Sequence, residues 1–401
     1  MNQYIAQLAR MGSAKSRTIL GLMSGTSLDG LDLALCEITG SGMDTEVVLK
    51  QFTTVPFEPV FKAAIRSVFS KKIVDFEQLC LLNPWVGEQH AAIILETLKA
   101  WGIKPAEVDL IASHGQTVYH APKILHGNPD FGNGTLQIGD GDHIAVNTGI
   151  ITISDFRQKH IAAGGEGAPL AVYGDYFIFS KKGEDRIMLN IGGIANYTFL
   201  PGSLDASKIF STDTGPGNTM MDQLAQQHFD QPFDKDASIA KQGLVNTALL
   251  NALKADDFFA KPFPKTTGPE LFNLAYLNQA VTQSGQTGLS VYDLMATLNR
   301  LTAQTIVEAI QKGQAMIGND ALAIYSSGGG MHNPLIMEYI QQQLPAARFY
   351  TTDALQIHPD AKEAVLFAVL ANENVSGGSV HIGGGKAGIP AVTMGKISFP
   401  K

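Results

Sequence analysis

Cysteine is almost missing from this chain: two residues, Cys36 and Cys80, occur in 401. That excludes a disulfide scaffold and leaves too few thiolates for a structural zinc site. Both lie in apolar stretches and are expected to be small core residues. No run of 18 apolar residues occurs, so no transmembrane helix is expected. The first residues, MNQYIAQLARMGSAKSR, hold neither a continuous apolar segment nor an A-x-A pattern, so no signal peptide is read there and a cytoplasmic protein is expected. Positive charge is in deficit, with 29 Lys and Arg against 37 Asp and Glu and a formal net charge of −8. Non-specific binding to nucleic-acid phosphates is therefore not expected, although local N–H donors can still hold a small anion. Also absent are G-x-x-x-x-G-K-[ST], a G-x-G-x-x-G after the first strand, and the protein-kinase signatures. Their absence removes the P-loop and protein-kinase readings and weakens the dinucleotide Rossmann reading.

What is present is a chain that is 45% hydrophobic and 16% charged, long enough for two large domains or two lobes of one fold. Apolar strands alternate with helical periodicity, which predicts an α/β architecture with helices covering the sheets. Residues 17–38 read as a hairpin, 45–57 as a third strand, and 58–70 and 86–101 as helices. Residues 108–122 read as a short buried strand that breaks into a polar loop at Ser113-His114-Gly115-Gln116. Residues 150–155 read as a strand ending at Asp155. A second series begins at 186–200 with strand, Gly-Gly turn and strand, echoing the opening hairpin. Helical pattern returns at 291–312, 334–344 and 360–373, with Asn333 and Pro334 placed to start the second of these. The echo suggests two related lobes around a cleft: residues 1–155, joined by the C-terminal segment 385–401, and residues 156–384.

Four glycine-rich turns follow strands: Gly25-Thr26-Ser27-Leu28-Asp29-Gly30, Gly192-Gly193, Asp213-Thr214-Gly215-Pro216-Gly217-Asn218 and Gly328-Gly329-Gly330. Ligands of α/β folds bind at the carboxyl ends of strands, where glycine lets the backbone approach a phosphate. One such turn is usually structural, but four in one chain point to a nucleotide. The first turn carries more hydroxyls and N–H groups than a hairpin needs, and the strand after it continues through Leu31 into Asp32. Asp32 and Asp213 are candidate Mg²⁺ holders, since Mg²⁺ takes oxygen ligands and keeps part of its water shell. Leu31, Leu33 and Leu35 share one face of the strand and Asp32, Ala34, Cys36 and Ile38 the other. If that second face is buried, Asp32 needs a partner there.

In order along the chain, GLMSGTSLDG, SHGQTVYH, TLQIGDGDHIA, DFR, AAGGEGAPL, LNIGGIAN, DTGPGN, TTGPELFN, SSGGGMHNP and DAKEAVLFAVLAN resemble the anhydro-N-acetylmuramic acid kinase family of the actin/Hsp70/sugar-kinase superfamily, from Ile19 onward. Departures are Glu166 where Gln is common, the turn Gly141-Asp142-His143, and the extension 1–16. The resemblance implies a two-lobed actin-like, ribonuclease H-like fold. It also implies a reaction in which water opens the 1,6-anhydro bridge of the sugar while the freed O6 takes the γ-phosphate of ATP, with Mg²⁺ assisting. Asp155, ending its strand and opening DFR, is the expected base for the water, and Arg157 is expected to pair with it or to neutralise transition-state charge. Loop 25–30 is expected at the phosphates, with Leu31 and Asp32 after it also at the cofactor, and Gly328 to Gly330 with Asn333 at adenine and ribose. His114, Gly115, Gln116, Glu166 and Gly167 are expected at the sugar; Glu363 faces the cleft or merely starts a helix. A homodimer through the second lobe is implied, with no nucleic-acid or membrane partner. An ordinary amino-sugar or hexose kinase, a nucleotide-gated actin- or Hsp70-like binding protein, and a phosphatase of the exopolyphosphatase type remain open at this point.

Overall fold

Residues 19–38 carry apolar side chains at nearly every position instead of alternate ones, which is the pattern of strands covered on both faces. In a computed structural model of the chain, which describes residues 2–401 except 169, 287, 320, 356, 379, 381 and 383–388, they form β1 (Ser16–Ser24) and β2 (Gly30–Thr39). These pair antiparallel, and β3 (Glu46–Pro56) adds antiparallel to β2. On the other side β4 (Leu110–Ala121) runs parallel to β1, and β6 (Thr152–Ser154) parallel to β4; the C-terminal strand Lys396–Ser398 closes that edge antiparallel to β6. The far half of β4 forms a hairpin with β5 (Gly134–Ile138). A second sheet contains β7 (Arg186–Ile191), β8 (Ile194–Leu200), β9 (Phe210–Pro216), β10 (Ala323–Ser327) and β11 (Arg348–Thr351), in the order β11-β10-β7-β8-β9. The runs β3-β2-β1-β4-β6 and β9-β8-β7-β10-β11 have one topology: an antiparallel three-strand meander, then two strands parallel to its first. The α/β class expected from the sequence is the observed one, and the echo between the glycine hairpins is an echo of whole sheets.

The chain forms two compact units. One comprises Met1–Ser180, Ala206–Lys208 and Gln356–Lys401, the other Lys181–Asp205 and Ile209–Leu355. The division expected at 155/156 falls inside the first unit, and residues 357–384 belong there too, because helix Lys362–Ser376 lies on β1, β2 and β4 and helix Ala171–Phe179 packs on that helix. Of the C-terminal segment, residues 385–388 lie outside the described residues. In the second unit, helix Val291–Ile317 runs through the core, with Leu298, Leu301, Ile306 and Ile310 buried beneath β8 and β9.

Several local readings change. The stretch 113–116 is no loop: β4 continues through it to Ala121. Leu22 pairs with Ser113 and Ser24 with Gln116, so His114 and Gly115 together oppose the single residue Met23. The apparent break is a bulge, which keeps the strand and re-aims one side chain. The helix expected from 86 begins at Phe76, because Asp75 caps it by accepting from the Gln78 N–H. Cys36 is buried as expected, but Cys80 is exposed on that helix. Among the described residues, no helix is long and apolar enough to cross a membrane.

The tightest packing in the first unit is between β1 and helix Lys362–Ser376. A Cβ at Gly21 would stand 1.9 Å from the carbonyl oxygen of Ala364. Gly21→Ala is expected to cost about 1–3 kcal/mol through this overlap. A lower urea midpoint at unchanged slope is the expected result; an unchanged midpoint would mean the helix does not rest on β1 as described.

Candidate active site

Loop 25–30 leaves β1 with Thr26, Ser27 and Asp29 exposed, so its hydroxyls and N–H groups are free to meet a ligand. Leu28 turns the other way: at φ 61° its side chain is buried in the core and pins the loop. Leu31 is likewise a core side chain. Both were expected at the cofactor, but burying their side chains is what holds the turn; the Leu28 N–H donates to the Gly25 carbonyl at 3.3 Å and Leu31 is paired within the sheet. Gln116 supports the loop from beneath. Its Oε1 accepts from Ser24 Oγ at 2.5 Å and its Nε2 donates to the Gly25 carbonyl at 3.3 Å. Gln116 is fully buried, so it positions the loop and does not reach a sugar.

Asp32 is half-buried between fully buried neighbours on both faces of β2. Burial raises its carboxyl, the hydrogen bond from Thr54 Oγ1 at 2.5 Å opposes that, and nearby Asp360 and Asp29 raise it further. The carboxylate therefore has a neutral partner and acidic neighbours. That is a setting a cation would relieve.

The DFR motif lies at the end of β6. Asp155 starts helix Phe156–Ala162 with φ 55° and makes no side-chain cap; its Oδ2 instead accepts from Lys396 Nζ at 2.5 Å. Arg157 does not pair with it. Its Nε and Nη2 both point at His114 Nε2, at 3.1 and 3.0 Å, and Nη1 donates to the Gly167 carbonyl at 2.7 Å. Burial lowers the Arg157 guanidinium to about 10, with Glu363 opposing. His114, 3% exposed, sits at the β4 bulge against Phe367, with ring centroids 4.8 Å apart. Burial and then Arg157 push its imidazole down to about 3. It is neutral, and because arginine only donates, Nε2 must be the acceptor and Nδ1 carries the proton. The expected sugar contacts His114 and Gly115 thus lie beneath the surface, shaping what Arg157 presents. The loop at Gly164 to Gly167 is pinned by His160, whose Nδ1 accepts from the Gly167 N–H at 3.0 Å, while Glu166 lies near His120. Glu363 reaches solvent in a small recess beside Lys362, and the protein mass around it raises its carboxyl, with Lys362 and Arg157 opposing.

In the second unit two glycine turns interlock and a third packs beside them. The Gly217 N–H donates to the Gly193 carbonyl at 2.9 Å and the Asn218 N–H to the Gly192 carbonyl at 2.8 Å. A Cβ on Gly217 would stand 2.1 Å from the Gly192 oxygen, so side-chain-free backbone is required there. Gly328 and Gly330 pack against Ile191 at the same edge. Asn333 caps helix Pro334–Gln343 as expected, accepting from the Leu335 and Ile336 N–H groups, with Pro334 in the first turn. Beside these turns is a cavity of about 480 Å³ lined by Asn218, Asp222, Phe233, Lys235, Gly329 and Asn333 among others. Asp222, Phe233 and Lys235 were not singled out from the sequence; the only signal was the cluster FDKDAS beside a helix.

Asp213 stands at the start of the DTGPGN turn. Its Oδ2 accepts from the Thr267 N–H at 2.7 Å and its own N–H donates to the Lys265 carbonyl at 2.9 Å, so the TTGPE segment is clamped onto it. Burial raises its carboxyl to about 6; the Thr267 bond opposes, Glu270 adds to the rise, and Lys265 opposes. Lys265 does not neutralise it by contact, because its Nζ donates to the carbonyls of Phe258 and Phe259 and lies 4.2 Å from the Phe258 ring centroid.

Residues 17–398 match the family model described as anhydro-N-acetylmuramic acid kinase. The chain is 56% identical over 402 residues to the protein of that name from Pseudoalteromonas atlantica and 53% identical over 401 residues to that from Pseudoalteromonas translucida, with the whole of both chains covered in each case. It is 38% identical over 403 residues to the protein of the same name from Caldanaerobacter subterraneus, covering 98% of this chain and all of that one. The motif order, the repeated sheet topology and these full-length similarities agree: the chain belongs to the anhydro-N-acetylmuramic acid kinase family.

Proposed function

We propose that this chain is an ATP-dependent kinase that opens the 1,6-anhydro bridge of 1,6-anhydro-N-acetylmuramic acid with water and phosphorylates O6. The product is N-acetylmuramic acid 6-phosphate, returning cell-wall sugar to use. Beyond family membership, the observation that carries the reading is the nucleoside-sized cavity beside the interlocked glycine turns, with the half-buried Asp213 carboxylate near the end of β9. ATP is assigned to that cavity through Gly329, Gly330 and Asn333, and its phosphates to the glycine turns Gly192-Gly193 and Gly215 to Asn218 of the same unit; loop 25–30 of the first unit is kept as a candidate phosphate loop.

Two carboxylates compete for the role of base. Asp155 is the one the DFR motif singles out, but its Oδ2 is engaged by Lys396. Asp213, whose carboxyl burial raises to about 6, makes no ion pair among the described residues, but it was expected to hold Mg²⁺ and belongs to the unit that carries the nucleotide turns. We assign the base to Asp155, in the same unit as Arg157, and keep Asp213 as the second candidate. The base takes a proton from water as the water oxygen bonds C1. The C1–O6 bond breaks, O6 takes the γ-phosphoryl group, and ADP leaves.

Phosphoryl transfer of this kind uses Mg²⁺ to neutralise charge on the phosphates. Asp32, whose carboxyl is raised by burial and by Asp360 and Asp29, fits that ion; Asp213, expected with it from the sequence, stays a candidate holder. A cytoplasmic homodimer is part of the proposal, with light scattering as its check.

Incubation with ATP, Mg²⁺ and the anhydro sugar is expected to give a product heavier by one phosphoryl group and one water, read by mass spectrometry; a gain of the phosphoryl group alone would make this an ordinary sugar kinase. Asp155→Asn is expected to lower kcat by about 10²–10⁴-fold, while Asp213→Asn raises the Mg²⁺ concentration needed for half-maximal rate and keeps more activity at saturating Mg²⁺; the opposite pattern gives the role to Asp213. Removing Mg²⁺ with EDTA should abolish turnover, and Asp32→Asn should raise the Mg²⁺ concentration needed for half-maximal rate.

A further inference from the structure

Arg157 is a cation without an anion in contact. Among the described residues no carboxylate hydrogen-bonds it; its three contacts go to neutral acceptors, two N–H groups to one ring nitrogen of His114 and one to the Gly167 carbonyl. Glu363 acts on it only through space. A guanidinium has five N–H donors, so two remain, one on each terminal nitrogen. A half-buried cation with neutral partners has lost part of its hydration without gaining a counter-charge, which is the state of a receptor awaiting an anion.

Its aim is set by the packing beneath it. The β4 bulge turns His114 toward Arg157, Phe367 holds the ring, and the neutral imidazole accepts both N–H groups of the guanidinium's side edge. A protonated ring would have no acceptor and would repel the cation, so burial of His114 serves the aim of Arg157. The Gly167 carbonyl ties the same guanidinium to the glycine loop that the sequence places at the sugar. The anhydro sugar of the proposed reaction carries one formal anion, the carboxylate of its lactyl ether; the phosphate charge is assigned above to the glycine turns.

We propose that Arg157, held in aim by His114, receives the lactyl carboxylate of the substrate and sets the preference for the muramic sugar over 1,6-anhydro-N-acetylglucosamine, which lacks that group. This rests on the kinase reading above. Arg157 is then a binding residue and His114 a positioning residue, with a role that is separable from phosphoryl transfer.

The test is steady-state kinetics on both sugars for the wild type, Arg157→Gln, Arg157→Lys, His114→Leu and His114→Gln, with melting curves to follow folding. For Arg157→Gln, KM for the muramic sugar is expected to rise about 10- to 150-fold, the range of one charged hydrogen bond, with kcat changed little. The sugar without the lactyl group, expected to be the poorer substrate of the wild type, should lose far less, so selectivity collapses. Lysine keeps the charge but not the fork and should recover only part. His114→Leu should move KM the same way, and His114→Gln, which keeps an acceptor, should restore most of it. An equal fall in kcat on both sugars would overturn the proposal and give Arg157 to the phosphoryl group. So would unchanged kinetics in Arg157→Gln, or a wild type that uses both sugars equally well while remaining a kinase. A wild type that phosphorylates neither sugar would instead overturn the kinase reading itself.

Discussion

The first unit depends on the seating of helix Lys362–Ser376 against the parallel strands β1 and β4. Backbone meets backbone at Gly21 and Ala364, closer than any side chain at position 21 allows. From that seat the helix sends Phe367 against His114 and places Lys362 and Glu363 near Arg157. Its far end is tied down by Arg17, a buried guanidinium that donates to Asn372 Oδ1 at 2.6 Å and to the carbonyls of Met11 and Gly40. A residue late in the chain thus determines the surroundings of a histidine and an arginine from its first half. The Arg17 charge is met by these acceptors together with the nearby carboxylates of Glu373 and Asp109.

The second unit repeats the sheet and solves a related problem with glycine turns. Two turns close on each other through main-chain hydrogen bonds and the third packs against Ile191, so the Asp213 carboxylate is carried by a rigid backbone frame and not by a free loop. Rigidity of that kind keeps N–H groups fixed in direction, which is what anion recognition requires. It also keeps the Asp213 carboxylate partly desolvated and near Glu270, the two causes of its raised pKa.

Two carboxylates that look alike in the sequence, each at the end of an apolar strand, therefore end in different states. Asp155 gained a lysine from the C-terminal strand; Asp213 gained a backbone N–H and a carboxylate neighbour. In the same way His114 and Gln116, polar residues in an apolar strand, became supports for other groups because a bulge turns them inward.

The sequence by itself determined the α/β class, the duplicated hairpin, the family and the glycine turns, because these rest on local patterns: continuous apolar runs, turn chemistry at strand ends, and ten motifs in order. It also placed Asn333 and Pro334 at a helix start, where the cap is made within three residues. Only the tertiary structure decided where the first unit ends, that 113–116 is a bulged strand, that Leu28 and Leu31 are anchors, and which aspartate is engaged by a cation. These turn on contacts between residues far apart in the chain, such as Lys396 with Asp155 and Thr267 with Asp213, and burial by distant segments is what moves a pKa or turns a polar side chain inward.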